Sequence, residues 1–391
     1  MLGWLVGAAG SLPLVLFLYS RHVARKPRLF VKEGTKLGAQ LRGLRCLGEV
    51  YTPTWWCPFG MMQTIARQLL RSKPVLPWER EPMEYSDGGV SGLDWLHPEG
   101  ATPSTPLVVF LPGITGSARD SSYLIHAALE ARSMGWRCVV SNARGLGGVP
   151  LRTPKTYNGG YTDDIRAVLA MLKVRYPEAK KLGCGVSLGG MILFNYLAEC
   201  GEAESTGLDA AMIVSSPWNS NESTRTLEEF WPRLLFNSTI RQSLVSIVEP
   251  YKEMFEKLID WERLMQSKTI KDFDEHFVVP LFGHESVEKF YHFCSLYYKV
   301  DRVPIPLLSL TSADDCFVPP ESLPIDDVCK SDNVAICLTD HGGHTAFMQA
   351  GLPPSPLTES FRAPIRTTAD SSRSSYSNTE IQSSTSSPCS S

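Results

Sequence analysis

The run Cys184-Gly185-Val186-Ser187-Leu188-Gly189-Gly190 constrains the fold more than any other part of the chain. It has the form G-x-S-x-G. Ala179-Lys180-Lys181-Leu182-Gly183 is a short approach to a buried strand read over 182–187, and Met191-Ile192-Leu193-Phe194-Asn195-Tyr196-Leu197-Ala198 continues the turn as a run of mostly helix formers with an apolar face. A serine on a sharp turn between a buried strand and a helix is held in a strained backbone conformation with its hydroxyl exposed. Gly185 and Gly189 are expected to be small because backbone passes close to them. A helix starting at Leu188 aims unpaired N–H groups and the positive end of its dipole at the serine oxygen. Ser187 is therefore the candidate nucleophile.

Other apolar runs give this turn a sheet to stand on. Leu107-Val108-Val109-Phe110-Leu111 has no polar face, the mark of a parallel strand covered on both sides. Comparable strands are read at 136–140, 210–215, 306–310 and 334–339, with helices at 121–134 and 161–176. Residues 83–95 alternate around Asp87-Gly88-Gly89, a hairpin signal. Between 218 and 303 the pattern becomes helical, charged and rich in aromatics, as expected of a cap inserted between two strands. The domain reading is an anchor over 1–20, a juxtamembrane segment and opening antiparallel strands over 21–105, a core over 106–217, the cap over 218–303, the second part of the core over 304–350, and a Pro- and Ser/Thr-rich disordered tail over 351–391.

A serine hydroxyl needs a base within hydrogen-bond reach, and the base needs an orienting acid. After the strand at 306–310 comes Ala313-Asp314-Asp315-Cys316-Phe317-Val318-Pro319, and after the strand at 334–339 comes Asp340-His341-Gly342-Gly343-His344. The chain order Ser…Asp…His is that of the α/β-hydrolase fold, a mostly parallel sheet with helices on both faces. His344 is preferred as base over His341, because Gly342-Gly343 lets the loop approach the serine. Asp315 is preferred as acid over Asp314, because it stands four residues before Pro319. In this layout the oxyanion donors are the N–H groups of Leu188, which follows the nucleophile, and Ile114, in the loop Pro112-Gly113-Ile114-Thr115-Gly116. The Gly-rich loop Asn142-Ala143-Arg144-Gly145 lacks the Lys-Ser/Thr ending of a phosphate cradle.

With a net charge of −3 over 391 residues and no basic-aromatic ribbon, nothing points to nucleic acid. Ten cysteines without a C-x-x-C pair give no support to a zinc or redox centre, and no metal or organic cofactor is expected. Residues 2–19 carry no charge and predict an uncleaved membrane-spanning anchor. The basic flank Arg21, Arg25, Lys26, Arg28, Lys32 and Lys36 places the catalytic domain on the cytosolic side by the positive-inside rule. Two sequons, at Asn221 and Asn237, would suit a lumenal domain instead.

These motifs, with the strap 51–56 and Gln63-Thr64, resemble the membrane-anchored α/β-hydrolase-domain (ABHD) lipid esterases, in the branch that includes yeast medium-chain ethyl-ester synthases and a mammalian medium-chain phospholipase. The match extends from about 35 to 348. The resemblance implies Ser187, Asp315 and His344 as a catalytic triad, fatty-acyl ester substrates, a single-pass type II anchor in the endoplasmic reticulum or another endomembrane, and a lumenal catalytic domain. The expected function is a serine hydrolase cleaving acyl esters of lipids, phospholipase or acylglycerol lipase in type. The alternatives are an acyltransferase on the same triad and a catalytically silent scaffold. Relatives continue past the histidine into a helix. Here Pro353, Pro354 and Pro356 come instead.

Overall fold

The computed structural model describes residues 2–349, with side-chain surroundings given from Ser11 onward. Among the described residues nine strands form one sheet: β1 (Arg28–Phe30), β2 (Glu79–Glu84), β3 (Val90–Leu96), β4 (Leu107–Leu111), β5 (Arg137–Ser141), β6 (Lys181–Val186), β7 (Ala210–Val214), β8 (Leu307–Ser312) and β9 (Val334–Thr339). Their order is β1-β9-β8-β7-β6-β4-β5-β3-β2. The six strands from β4 to β9 are parallel to their neighbours within that set, and β1, β2 and β3 join antiparallel at the two edges. This is an α/β sheet of the expected kind, with the apolar runs at its centre.

Strand residues alternate between two cores, as a period of two requires. Leu107, Val109 and Leu111 face one core, shared with Leu169, Leu193 and Phe194. Val108 and Phe110 face the other, shared with Leu124, Ala127 and Val140. The helices supplying these layers are α3 (Ser122–Ser133), α4 (Asp163–Arg175) and α5 (Leu188–Cys200), and two earlier helices, α1 (Leu2–His22) and α2 (Gly60–Leu70), precede the hairpin. β2 and β3 are joined as the alternation predicts, through a turn in which Gly88 has φ +79°. Segments between β7 and β8 are helical, beginning with α6 (Ser220–Leu227), continuing through α7 (Ser238–Val248) and ending near α8 (Val287–Cys294). Two single π-helical turns interrupt them, Arg233–Asn237 and Asp274–Val278.

The amino-terminal segment is helical. α1 covers the segment read as an anchor, with Pro13 inside it. No helix among the described residues is long and apolar enough to cross a membrane. The first ten residues of the expected span lie outside those whose side chains are described. Two residues of the basic flank are engaged in the fold: Arg28 pairs with Asp340 at 3.1 Å and Lys32 with Asp332 at 2.9 Å. Arg28 opens β1 and Lys32 follows it; β1 is a three-residue edge strand that pairs with β9, in a stretch expected to be part of the juxtamembrane segment. The expected tail, 351–391, lies outside the described residues.

Candidate active site

Ser187 closes β6 and opens α5 with φ 54° and ψ −120°, a strained conformation for a residue with a side chain. The two glycines around it are explained by distance. A Cβ on Gly185 would stand 2.5 Å from the Gly189 carbonyl oxygen, and one on Gly189 would stand 2.2 Å from that of Leu111. The Ser187 N–H donates to the Val214 carbonyl at 2.9 Å, which pins the turn to β7.

The loop after β9 brings His344 to this turn. His344 Nε2 lies 3.0 Å from Ser187 Oγ. On the other side of the ring, Nδ1 lies 2.9 and 3.1 Å from the two carboxylate oxygens of Asp315. An ionised carboxylate only accepts, so the Nδ1 proton faces Asp315 and Nε2 offers its lone pair to the serine hydroxyl. The Asp315 side chain is fully buried and also accepts the Phe317 N–H at 2.8 Å. The Phe317 ring stacks on the imidazole with centroids 4.2 Å apart. The runner-up residues form a second pair: Asp314 binds His341 Nδ1 at 3.0 Å and the Gly343 N–H at 2.9 Å. Each acid takes one histidine, and His344 is the one that reaches Ser187.

Ile114 and Leu188 line the same cavity as Ser187 and His344. The Gly113 N–H is occupied by the Tyr123 hydroxyl at 2.9 Å, and the Tyr157 hydroxyl donates to the Ile114 carbonyl. Among the described residues the N–H groups of Ile114 and Leu188 meet no turn or loop carbonyl. Arg144, in the Gly-rich loop, is spent on Asp164 at 2.7 Å and Asp87 at 2.8 Å, so it holds the loop instead of meeting an anion.

Above the serine lies a cavity of about 460 Å³, within the usual range for a small-molecule site. The cap contributes an apolar part of its wall, with Phe236, Leu244, Val248, Phe273 and Phe277, while polar residues such as Thr64, Arg67 and Asn158 line other parts. Asp274 interrupts them. Its carboxylate accepts the Tyr291 hydroxyl at 2.8 Å and faces cavity space while protein surrounds it. Burial pushes its pKa up to about 7. The folded carboxyl therefore binds its proton more tightly than the unfolded one, and stability falls as pH rises from about 4 to about 7. Asp274→Asn keeps an acceptor for Tyr291 and removes the charge. It is expected to stabilise the protein at pH 8 by about 1–3 kcal/mol and to bring no gain at pH 4, as read by denaturant unfolding at both pH values.

Sequence reasoning missed Asp274, whose setting depends on cap packing that a helical pattern does not specify. It also missed Tyr157, which no motif marks. The sequon at Asn237 is a structural feature: the side chain is buried and binds the Leu227 carbonyl at 3.2 Å and the Ile270 N–H at 2.6 Å. No cluster able to hold a metal occurs among the described residues.

Comparison with known proteins leads to the same fold. Residues 106–350 match the family model described as the alpha/beta hydrolase fold. Protein abhd-3.2 of Caenorhabditis elegans is 49% identical over 342 residues, covering 87% of this chain and 91% of that protein. Phospholipase ABHD3 of Homo sapiens is 36% identical over 344 residues, 86% of this chain and 83% of its own. Monoacylglycerol lipase of Saccharomyces cerevisiae is 29% identical over 255 residues, 62% of this chain and 55% of its own. On a family match over more than half its length and relatives aligned along most of both chains, this chain belongs to the α/β-hydrolase family, in its ABHD branch.

Proposed function

We propose that this chain is a serine hydrolase that cleaves fatty-acyl esters of lipids through an acyl-enzyme. The observation that carries the reading is the continuous line from Asp315 through His344 to Ser187, with each link at about hydrogen-bond length. In the proposed cycle Ser187 Oγ attacks the ester carbonyl while its proton passes to His344 Nε2. The resulting oxyanion is held by the N–H groups of Leu188 and Ile114. The alcohol leaves with the proton from Nε2. Water, deprotonated by the same nitrogen, then releases the acid and restores the serine. Asp315 stabilises the imidazolium in both halves. That the chain is a carboxylic-ester hydrolase rests on this constellation together with its family.

The lipid part of the reading is supported by the apolar cavity wall and by relatives named as a phospholipase and a monoacylglycerol lipase. It extends to a membrane surface as the place of action. Phe230, Trp231 and Leu234 are exposed on the cap beside Leu235, which is itself both exposed and part of the cavity wall. Leu14, Val15, Phe17 and Leu18 are exposed on α1. Exposed large apolar side chains of this kind suit contact with a lipid phase.

The test is a series of p-nitrophenyl esters from butyrate to laurate, assayed with the wild type and with Ile240→Trp, a half-buried position in the cavity wall. The wild type is expected to favour the longer chains. The variant is expected to lose about tenfold or more on laurate and to stay within about threefold on butyrate, because only the longer acyl group needs the filled space. Equal losses on both esters would mean that the cavity does not receive the acyl chain.

A further inference from the structure

The amino-terminal strap and the catalytic loop are far apart in sequence and share a dense set of hydrogen bonds. The His344 N–H donates to Thr64 Oγ1 at 2.8 Å. That hydroxyl donates in turn to the Gly60 carbonyl at 2.9 Å, so its lone pair is the one offered to His344. The Met348 N–H donates to Gln63 Oε1 at 2.9 Å. The Met348 carbonyl accepts both the Thr54 N–H and the Tyr51 hydroxyl, each at 3.0 Å. Pro53 and Gln349 form an isolated antiparallel bridge. Gln63, Thr64, Thr54 and Tyr51 are all buried. The packing leaves no slack: a Cβ on Gly60 would stand 2.4 Å from the Asp314 carbonyl oxygen, and one on Gly343 would stand 2.1 Å from that of Gly60.

The loop itself has little local structure to hold it. Gly342 and Gly343 have φ +152° and +59°, and Thr345 and Phe347 have φ 58° and 45°, the latter two unfavourable for residues with side chains. A segment in such conformations persists only where its surroundings over-determine it. From the sheet side the loop is held by Ser215, which accepts the Thr345 N–H at 3.0 Å, and by Ser312, which donates to the Gly343 carbonyl at 3.1 Å. From the opposite side the restraint comes from 51–64.

We propose that the strap and the first turn of α2 form a clamp that sets the position of His344, with Thr64 as a positioning residue of the active site. The proposal rests on the triad reading above and adds a part the triad does not contain. Thr64 acts through the His344 backbone: it fixes where Nε2 lies relative to Ser187 Oγ, and a displacement of about 1 Å there is enough to cost about a hundredfold in rate.

The test uses the full chain with Thr64→Val, which keeps the shape and removes the hydroxyl, and Thr64→Ser, which keeps the hydroxyl. Turnover of a p-nitrophenyl ester is measured per folded molecule, alongside amide hydrogen exchange of 341–349. Thr64→Val is expected to lower kcat about tenfold to a hundredfold with KM within about twofold, and to speed exchange across the loop. Thr64→Ser is expected to restore both. Wild-type kcat in Thr64→Val, an unchanged exchange rate, or a Thr64→Ser variant as slow as Thr64→Val would each overturn the clamp. A wild type no faster than Ser187→Ala would instead overturn the enzymatic reading, and the exchange comparison alone would then decide the clamp.

Discussion

Ser187→Ala is expected to lower ester turnover by about four to six powers of ten while leaving the fold unchanged. The hydroxyl is small and its removal creates no buried charge. The turn is held by backbone, through the Ser187 N–H on the Val214 carbonyl and through the close approach of Gly189 to Leu111. The strained φ of 54° also remains available to alanine at some cost. What is lost is the covalent route. Residual rate would come from the oxyanion donors and from binding alone, which leave about a thousandfold to ten-thousandfold over water in enzymes of this design. His344→Ala is expected to fall as far, because a serine without its base is nearly inert and groups that act as a unit are not additive. The check is kcat for the single and the double variants. A double variant no slower than either single one is the signature of one shared machine.

The second large effect separates two adjacent acids. Asp315→Asn is expected to lower kcat by about three to four powers of ten, and Asp314→Asn by less than about tenfold. The Asp315 carboxylate is fully buried and bonds His344 Nδ1 with both oxygens. An amide in its place can present its NH₂ to Nδ1. That would favour the tautomer with the proton on Nε2, where it cannot accept from the serine. Asparagine at 314 would still offer an oxygen to the Gly343 N–H, and His341 does not reach Ser187. Steady-state kinetics of the two variants, with unfolding midpoints measured alongside, distinguishes the assignments. A larger loss at 314 than at 315 would reverse them.

Much of this is legible in the sequence because it is local. The G-x-S-x-G turn carries its own context, and the strands at 107–111, 181–186 and 334–339 announce themselves as largely apolar runs. The preference for Asp315 and His344 rests on spacing to Pro319 and on the Gly342-Gly343 pair, and in the structure the two side chains meet each other and Ser187. The features not legible depend on distant partners. β1 is three residues long, and its strand character comes from β9, near the other end of the described chain. The strap 51–56 reads as a packed aromatic segment, but nothing in it names the loop it packs against. The neighbouring Gln63-Thr64 carries no chemistry legible from the sequence, and its place appears only once Met348 and His344 stand beside it. Asp274 reads as one more charge on a cap helix, and only the closure of the cavity around it changes its chemistry. The apolar amino terminus reads as a span from its lack of charge, and in the structure it forms helix α1 with Pro13 inside.

The most direct test of the central claim is to treat the folded chain with a fluorophosphonate and map the adduct by peptide mass spectrometry. One adduct is expected, on the peptide carrying Ser187, formed much more slowly in His344→Ala. A folded wild type that takes up no label, or that carries it on another residue with Ser187 unmodified, would contradict it.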